Sequence, residues 1–223
     1  MSNMRTIKVT GKGLIRVHPD MTRITMTLEG IYPEYADTLR HSAEETERLK
    51  DVLSPFGFER NDLKTLNFSI DTEFESYKDK GVYKQRLIGY KFHHILKVEF
   101  ESNNERLGKV LYALANSEVS PEFRISYTVK DPEAVKNTLL SKAVIDAKEK
   151  ACVLANAAGI TLKDIQTIDY SWGEIDFEFH PMNRGLLLKE CAPMGSPSES
   201  YDMDIEPDDI EVCDTVTIVW EIV

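Results

Sequence analysis

The chain has 223 residues, enough for one large domain or two small ones, and a domain of this length can bury about 70–75% of its unfolded surface. Its 27 basic and 38 acidic residues give a formal charge of −11, which argues against a nucleic-acid partner because no excess of Lys and Arg is present to bind phosphates. No apolar run approaches the about 18 residues of a membrane-spanning helix, and the first residues lack the apolar core of a signal peptide. The sequence therefore predicts a cytoplasmic protein without membrane contact.

Three cysteines lie far apart and form no CxxC pair, so they predict neither a disulfide framework nor a zinc site. Cys152 falls within a helical pattern, and we predict a small buried side chain there. Cys191 falls in a stretch rich in Pro and Gly, where an exposed thiol is expected.

Alternating apolar residues predict two strands at the start of the chain, joined by a turn at His18-Pro19-Asp20. The first runs from Ile7 to Val17 and should bend at Gly11 and Gly13. The second centres on Met26. A helix is then predicted from Pro33 to Phe56, with the inward positions Ala36, Leu39, Ala43, Leu49, Leu53 and Phe56.

A long hairpin is predicted next, with strand three near Leu66 to Phe74, a charged tip at Lys78-Asp79-Lys80-Gly81, and strand four from Ile88 to Phe100. One face of strand four is apolar and the other mostly polar, so the hairpin is expected to extend beyond the domain body and meet a neighbour. His94 lies on the apolar face and is interpreted as a satisfied interior histidine. His93 points the opposite way, so the two cannot bind one metal ion from a regular strand.

The clearest single element is a long helix, DPEAVKNTLLSKAVIDAKEKACVLANAAG, capped by Asp131 and ended by Gly159, with Pro132 in its first turn. Half of the residues predicted on its inward face are alanines, so the helix should pack closely on its neighbour. The predicted inward residues are Leu140, Val144, Ala147, Ala151, Leu154 and Ala158. A short helix from Asn104 to Asn116 and a strand from Phe123 to Val129 precede it.

After the long helix, a strand begins at Ile165, and its apolar phase slips at Gly173, as a β-bulge would cause. The stretch 180–207 is rich in Pro and Gly and long for a loop, and such insertions usually serve function. The last predicted strand runs from Ile210 to Val223.

An internal duplication is suggested by the segments Gly57–Ser69 and Gly159–Ser171, which each follow a helix and are identical at four positions at one offset. We predict an α+β fold in which a mainly antiparallel sheet of about seven strands packs with two long helices and one short helix. The chain is read as a single domain, 1–223, of two interlocked βαββ halves near 1–101 and 119–223 that share a core.

Motifs along most of the chain carry a family resemblance: Ile7-x-Val9-x-Gly11-x-Gly13, Pro19-Asp20, Ile88-Gly89-Tyr90, Ala143-x3-Ala147-x2-Lys150-Ala151-x2-Leu154-Ala155-x3-Gly159, Ile205-Glu206-Pro207 and Val216 to Trp220. In these the chain resembles the SIMPL-domain family, which includes bacterial oxidative-stress-defence proteins and a periplasmic surface antigen. The resemblance implies an α+β fold and a tendency toward large ring-like homo-oligomers. It makes Gly89, Tyr90, Ala147, Ala151, Gly159 and Pro207 candidate structural or interaction residues.

Two features depart from the family pattern. Many relatives carry an export signal, and the first residues here predict none; relatives also commonly have Gly where this chain has Asp208. The resemblance brings no catalytic residues.

No P-loop, HExxH, CxxC or dinucleotide fingerprint is present, so we predict no catalytic residue, cofactor or metal ligand. An acidic run could supply hard oxygen ligands but lacks the pattern of a calcium loop, and is read as solvated: Asp202, Asp204, Glu206, Asp208 and Asp209.

Three functions remain open at this point. The favoured one is a non-enzymatic homo-oligomeric assembly or protein-interaction domain, linked through the resemblance to oxidative-stress defence. The alternative is a small-molecule-binding protein or enzyme with a pocket between the halves, under a lid formed by 180–207. A third is sacrificial oxidation at Met182, Cys191 and Met194.

Overall fold

A computed structural model of the chain describes residues 5–119, 121–170, 177 and 205–223. These residues form seven strands and three helices, which confirms the predicted α+β class. In chain order the elements are β1 Thr6–Val17, β2 Met21–Tyr32, α1 Tyr35–Leu53, β3 Lys64–Asp79, β4 Val82–Glu101, α2 Asn104–Ala115, β5 Glu122–Thr128, α3 Pro132–Ala158, β6 Leu162–Asp169 and β7 Ile210–Ile222. None of the helices in these ranges is both long and apolar enough to cross a bilayer.

The described residues divide into two compact units. The α1 unit contains Met21–Tyr127, and its four strands lie in the order β3-β4-β2-β5. The α3 unit contains the chain up to Asp20, the described residues from Thr128 to Phe179, and Pro207–Val223. Its three strands lie in the order β1-β7-β6.

The two units repeat one arrangement. In the α1 unit, α1 leads to β3 and β4, and β4 lies between β3 and β2. In the α3 unit, α3 leads to β6 and β7, and β7 lies between β6 and β1. The strand before α3 in the chain, β5, pairs in the other sheet, so the compact units follow different bounds from the predicted halves. The single domain stays a prediction.

Each unit buries its own helix. In the α1 unit a cluster on one face of β2 and β4 packs under α1 and α2, through residues that include Ile24, Phe92, Leu49 and Leu111. In the α3 unit, α3 packs against β1 and β7. The common core of the two predicted halves stays a prediction.

The inward face of α1 differs from the prediction. Leu49 and Leu53 are buried as expected, but Leu39 is exposed. Thr38 and Ser42 are buried in its place. The Thr38 hydroxyl donates a hydrogen bond to the carbonyl oxygen of Glu34 at 2.9 Å. Because this bond satisfies the hydroxyl, a polar residue can face inward here.

The ends of α3 confirm the prediction. The Asp131 carboxylate accepts a hydrogen bond from the backbone N–H of Ala134 at 2.9 Å, and Gly159 ends the helix in the left-handed region at φ +68°. The buried line steps by four through Leu139, Ala143, Ala147, Ala151 and Ala155. The predicted seam is right at Ala147 and Ala151 but wrong at Leu154, which is exposed.

The side of α3 that carries small side chains packs against the two glycines of β1. A Cβ placed on Gly11 would lie 2.1 Å from the carbonyl oxygen of Ala143, and one on Gly13 would lie 2.2 Å from that of Leu139. β1 pairs with β7 through both glycines without a register shift, so no bulge lies there, and the bend stays a prediction. The glycines let the helix backbone approach the strand.

Two further predictions in this unit are corrected or left open. Cys152 is exposed, because it lies one position past Ala151 and therefore off the buried side of α3. The strand predicted from Ile165 begins at Leu162 as β6, an exposed edge strand. The proposed bulge at Gly173 lies outside the described residues.

Candidate functional site

The most unusual surface feature is the far half of the β3–β4 hairpin. β2 pairs with β4 from Met21 opposite Glu101 to Tyr32 opposite Tyr90, and beyond Tyr90 β4 pairs with β3 alone. Every residue of β4 from Val82 to Ile88 is exposed. We call residues 74–88 the arm.

Gly89 and Tyr90, two of the predicted interaction residues, lie together where the arm leaves the sheet. A Cβ on Gly89, whose φ is +154°, would lie 2.3 Å from the carbonyl oxygen of Tyr32. The β3–β4 register shifts beside it, between Glu73 and Phe74. The ring of Tyr90 packs edge-on against Tyr35 of α1, with centroids 5.5 Å apart. Gly89 therefore forms a bulge that only glycine fits, and Tyr90 anchors it to the body.

The tip of the arm is a tight turn. Lys80 and Gly81 have φ values of +47° and +87° and connect the last cross-strand pair, Asp79 and Val82. Two residues with positive φ form the turn type whose twist matches a β-hairpin. The arm is thus a regular two-stranded ribbon along its whole length.

The two faces of the arm differ. On one face, which we call the paired face, the charges neutralise each other: Glu75 with Arg86 and Asp79 with Lys84, each at 2.6 Å. The other face, which we call the open face, carries the cross-strand pairs Phe74–Leu87, Ser76–Gln85 and Lys78–Tyr83.

Large apolar side chains are exposed on this ribbon. Tyr83 is 76% exposed and Val82 is 62% exposed, and Phe74, Tyr77, Leu87 and Ile88 are exposed as well. A two-stranded ribbon alone is marginally stable in water, and clustered exposed apolar surface usually marks a binding surface. The arrangement can bind another macromolecule by burying these side chains.

A second surface feature of the same unit is a groove between α1 and β3. It encloses about 410 Å³ and is lined by Leu39, Ser42, Ala43, Thr46, Glu47, Thr65, Phe68 and His94. Leu39 and Phe68 form its apolar walls, and each is 41% exposed. We call it the α1 groove.

His94 forms the polar floor of the α1 groove. Its Nδ1 lies 3.2 Å from the Thr46 hydroxyl and its Nε2 lies 3.0 Å from the Thr65 hydroxyl. Phe68 packs edge-on against the imidazole at 5.0 Å. Burial lowers the pKa of His94, and the charge of Lys50 lowers it further. The prediction of a satisfied interior histidine is confirmed, and a neutral ring suits its two hydroxyl partners.

His93 faces the other side of the sheet, as predicted. Its Nδ1 contacts the Glu29 carboxylate at 2.6 Å. Lys91 contacts the same carboxylate at 2.6 Å, and these bonds, Lys91 first, lower the pKa of Glu29. The two histidines therefore serve different faces.

The remaining predicted residues do not join this site. Ala147 and Ala151 are buried on the inner side of α3, Gly159 ends that helix, and Pro207 lies half-buried shortly before β7. Of the acidic run, Asp209 lies 3.3 Å from His18, while Asp202 and Asp204 lie outside the described residues.

The other functional readings depend mostly on residues that the structure does not describe. Met182, Cys191 and Met194 lie outside the described residues, as does the lid up to residue 204. Both hypotheses stay predictions.

The sequence predicted a projecting hairpin with its tip at residues 78–81, but the predicted strands stop at Phe74 and resume at Ile88, whereas β3 runs to Asp79 and β4 starts at Val82. The α1 groove was not predicted. Helical spacing predicts a buried Leu39, and alternation predicts an ordinary strand position for Phe68, although both are exposed. The sequence signal for the groove is Thr38 and Ser42, which lie one helical turn apart. They form a polar stripe along α1 beside its apolar stripe.

Comparison with known proteins places the chain in a family. A family model described as SIMPL, a protein of unknown function (DUF541), matches residues 7–220. The 26 kDa periplasmic immunogenic protein of Brucella melitensis is 27% identical over 157 residues, which is 70% of this chain and 62% of that protein. The uncharacterized protein YggE of Edwardsiella ictaluri is 21% identical over 216 residues, 97% of this chain and 86% of that protein.

The Brucella relatives overturn one prediction. The match spans less than two thirds of their length, and both of these proteins are named periplasmic. The cytoplasmic location predicted above is therefore wrong. That prediction rested only on the first residues, in which no apolar stretch of a signal peptide was found. The match over residues 7–220 shows that the chain belongs to the SIMPL family of proteins of unknown function.

Proposed function

We propose that the chain is a non-enzymatic assembly domain that associates with further copies of itself through the arm. The observation that carries the proposal is the arm, a ribbon that pairs only with itself and exposes six large apolar side chains. Exposed aromatic and arginine side chains such as those of Phe74, Tyr77, Tyr83 and Arg86 are typical of protein interfaces.

The construction of the arm supports a role beyond folding. Its side chains add nothing to the buried cluster of the α1 unit, whose members on β4 begin at Phe92. A stretch that is apolar, ordered and absent from the core is stabilised when a partner covers it.

The mass of the protein in solution tests the proposal. A monomer has a mass of 25.5 kDa, and we expect a larger mass by light scattering at micromolar concentration. Glu75 and Arg86 face each other across the ribbon in the same kind of pair as Asp79 and Val82, so joining them by Asn-Gly removes the outer arm and keeps a two-residue turn. We expect this shortened protein to be monomeric.

The outcomes separate the parts of the proposal. A wild-type chain that stays monomeric contradicts homo-oligomerisation. A shortened protein that assembles like the wild type contradicts the role of the arm. A circular-dichroism spectrum and a melting curve like those of the wild type show that the shortened protein is folded.

We also propose export of the chain, supported by the names of the Brucella relatives. Fractionation of cells that express the gene from its own promoter tests this, and a purely cytosolic protein contradicts it. The link to oxidative-stress defence is a weaker proposal that rests on the family resemblance. Peroxide survival of cells that lack the gene tests it, and survival equal to the wild type contradicts it.

A further inference from the structure

The arm and the α1 groove are complementary in chemistry and belong to the same unit. The groove offers two apolar walls, Leu39 and Phe68, above a neutral floor at His94. Its volume of about 410 Å³ lies near the lower end of the about 300–1,000 Å³ of ligand pockets, so it suits an aromatic side chain better than a large ligand.

We propose that the open face of the arm docks in the α1 groove of a second copy, with Tyr83 as the side chain that enters it. This inference rests on the proposed function and names the surface that receives the arm.

The arm cannot fill the groove of its own chain. Phe68 lies in the groove and Tyr77 lies near the tip of the arm, and both belong to the continuous strand β3. Nine residues of strand span about 30 Å, and the arm runs away from the groove along that strand. The occupant must therefore come from another molecule.

The open face fits the groove better than the paired face. On the paired face, docking would desolvate the ion pairs Glu75–Arg86 and Asp79–Lys84. On the open face, Lys78 is the only charged side chain of the three cross-strand pairs, and its amine lies 5.8 Å from the Tyr83 ring. Lys78 forms no ion pair with any residue that the structure describes, which leaves its charge for a partner.

Charge complementarity favours arm-to-groove contact over arm-to-arm contact. The arm carries four basic and two acidic residues, although the whole chain has a charge of −11. The helix beside the groove, α1, carries five acidic and three basic residues. Two arms would repel each other, whereas an arm and an α1 helix attract.

Such a contact joins two different surfaces of identical chains. After one such contact, the copy that gave its arm still has a free groove and the other copy still has a free arm, so further copies can add. The partner copy completes the groove, because the groove stays open until the arm of a second molecule covers it.

Mixing two complementary variants tests the proposal. Leu39→Lys blocks the groove and leaves the arm intact. Tyr83→Ser with Leu87→Ser removes the apolar open face and leaves the groove intact. We expect each variant alone to associate about tenfold or more weakly than the wild type, and an equimolar mixture to form a heterodimer by light scattering.

Matched controls exist for both variants. Leu14→Lys makes the same change on β1, where Leu14 is 46% exposed, and should not weaken association. Val82→Ser removes an exposed apolar residue from the paired face and should weaken association less than the variant with Tyr83→Ser and Leu87→Ser does. All the substituted side chains are well exposed, so melting temperatures near the wild-type value are expected.

The outcomes distinguish this inference from the proposed function. If the wild type assembles and Leu39→Lys assembles equally well, the groove does not receive the arm and the inference is overturned. If both variants are monomeric and their mixture stays monomeric, an intact arm and an intact groove on different copies do not bind each other, and the inference is again overturned. A monomeric wild type overturns the proposed function and this inference together.

Discussion

Gly11 decides how closely α3 can lie on its sheet, and a methyl group at this position should be poorly tolerated. The Cβ of Gly11→Ala would meet backbone atoms of Ala143 and Ala147 at 2.1 and 2.4 Å, which cannot rotate away as a side chain can. We expect a loss of about 1–3 kcal/mol in the free energy of unfolding, toward the upper end of the range for overpacked cores. Urea titration measures this loss.

Lys12→Ala is the matched control for Gly11→Ala. It changes the next residue of the strand but keeps the backbone N–H that donates to Asp146 at 2.6 Å. We expect a change within about 0.5 kcal/mol, as for most surface substitutions. Equal losses in the two variants would contradict close packing as the role of Gly11.

His94 should make the stability of the protein depend on pH. Burial, with a smaller contribution from the charge of Lys50, lowers its folded pKa below the value of about 6.5 for an unfolded histidine. The unfolded chain therefore binds more protons, so the free energy of unfolding falls as the pH falls from about 6.5 through the folded pKa. Denaturation at a series of pH values measures this fall.

His94→Gln identifies the source of that pH dependence. The glutamine amide can still donate and accept hydrogen bonds beside Thr46 and Thr65 but does not titrate. The fall in stability in this pH range should be smaller in the variant than in the wild type. An unchanged pH profile would show that His94 does not contribute.

At the scale of elements, the start of α3 depends on one carboxylate. Asp131 accepts from the N–H of Ala134 at 2.9 Å and lies at the positive end of the helix dipole. Asp131→Ala should lower the free energy of unfolding by about 1 kcal/mol. Asp131→Asn keeps the accepting oxygen and should lose much less, so equal losses in urea titrations would contradict the capping role.

The helix ends could be predicted because they depend on local residues, whereas the buried faces could not. Asp131, Pro132 and Gly159 specify where α3 begins and ends within the chain itself. Which side of α3 faces inward depends on Gly11 and Gly13, more than a hundred residues away. In the same way, Leu39 was predicted to be buried because its spacing is helical, and only the placement of β3 shows that it borders a groove.

The candidate site was predictable in part for the same reason. The tip of the arm follows from the turn residues at Lys80 and Gly81, which are adjacent in sequence. Its two strands were not predicted, because charged residues interrupt the apolar alternation between Phe74 and Ile88. The α1 groove joins side chains from α1, β3 and β4, so it exists only after those elements have packed.

At the scale of the whole molecule, the charge distribution makes assembly sensitive to salt. A basic arm on a chain of charge −11 is attracted to the body of another copy and repelled by another arm. Raising the salt concentration from about 0.1 M to about 1 M shortens the screening length from about 10 Å to about 3 Å. Association through arm and groove should weaken over this range, whereas association between arms should strengthen.

Lys78→Gln links this salt effect to the open face, because Lys78 is the charge that docking would bring to the partner. We expect weaker association at low salt and a shallower salt dependence in sedimentation experiments than for the wild type. Lys148→Gln removes the same charge from an exposed position on α3 and should change neither quantity much. If the two variants behave alike, net charge alone determines the salt dependence, and Lys78 has no specific place in the contact.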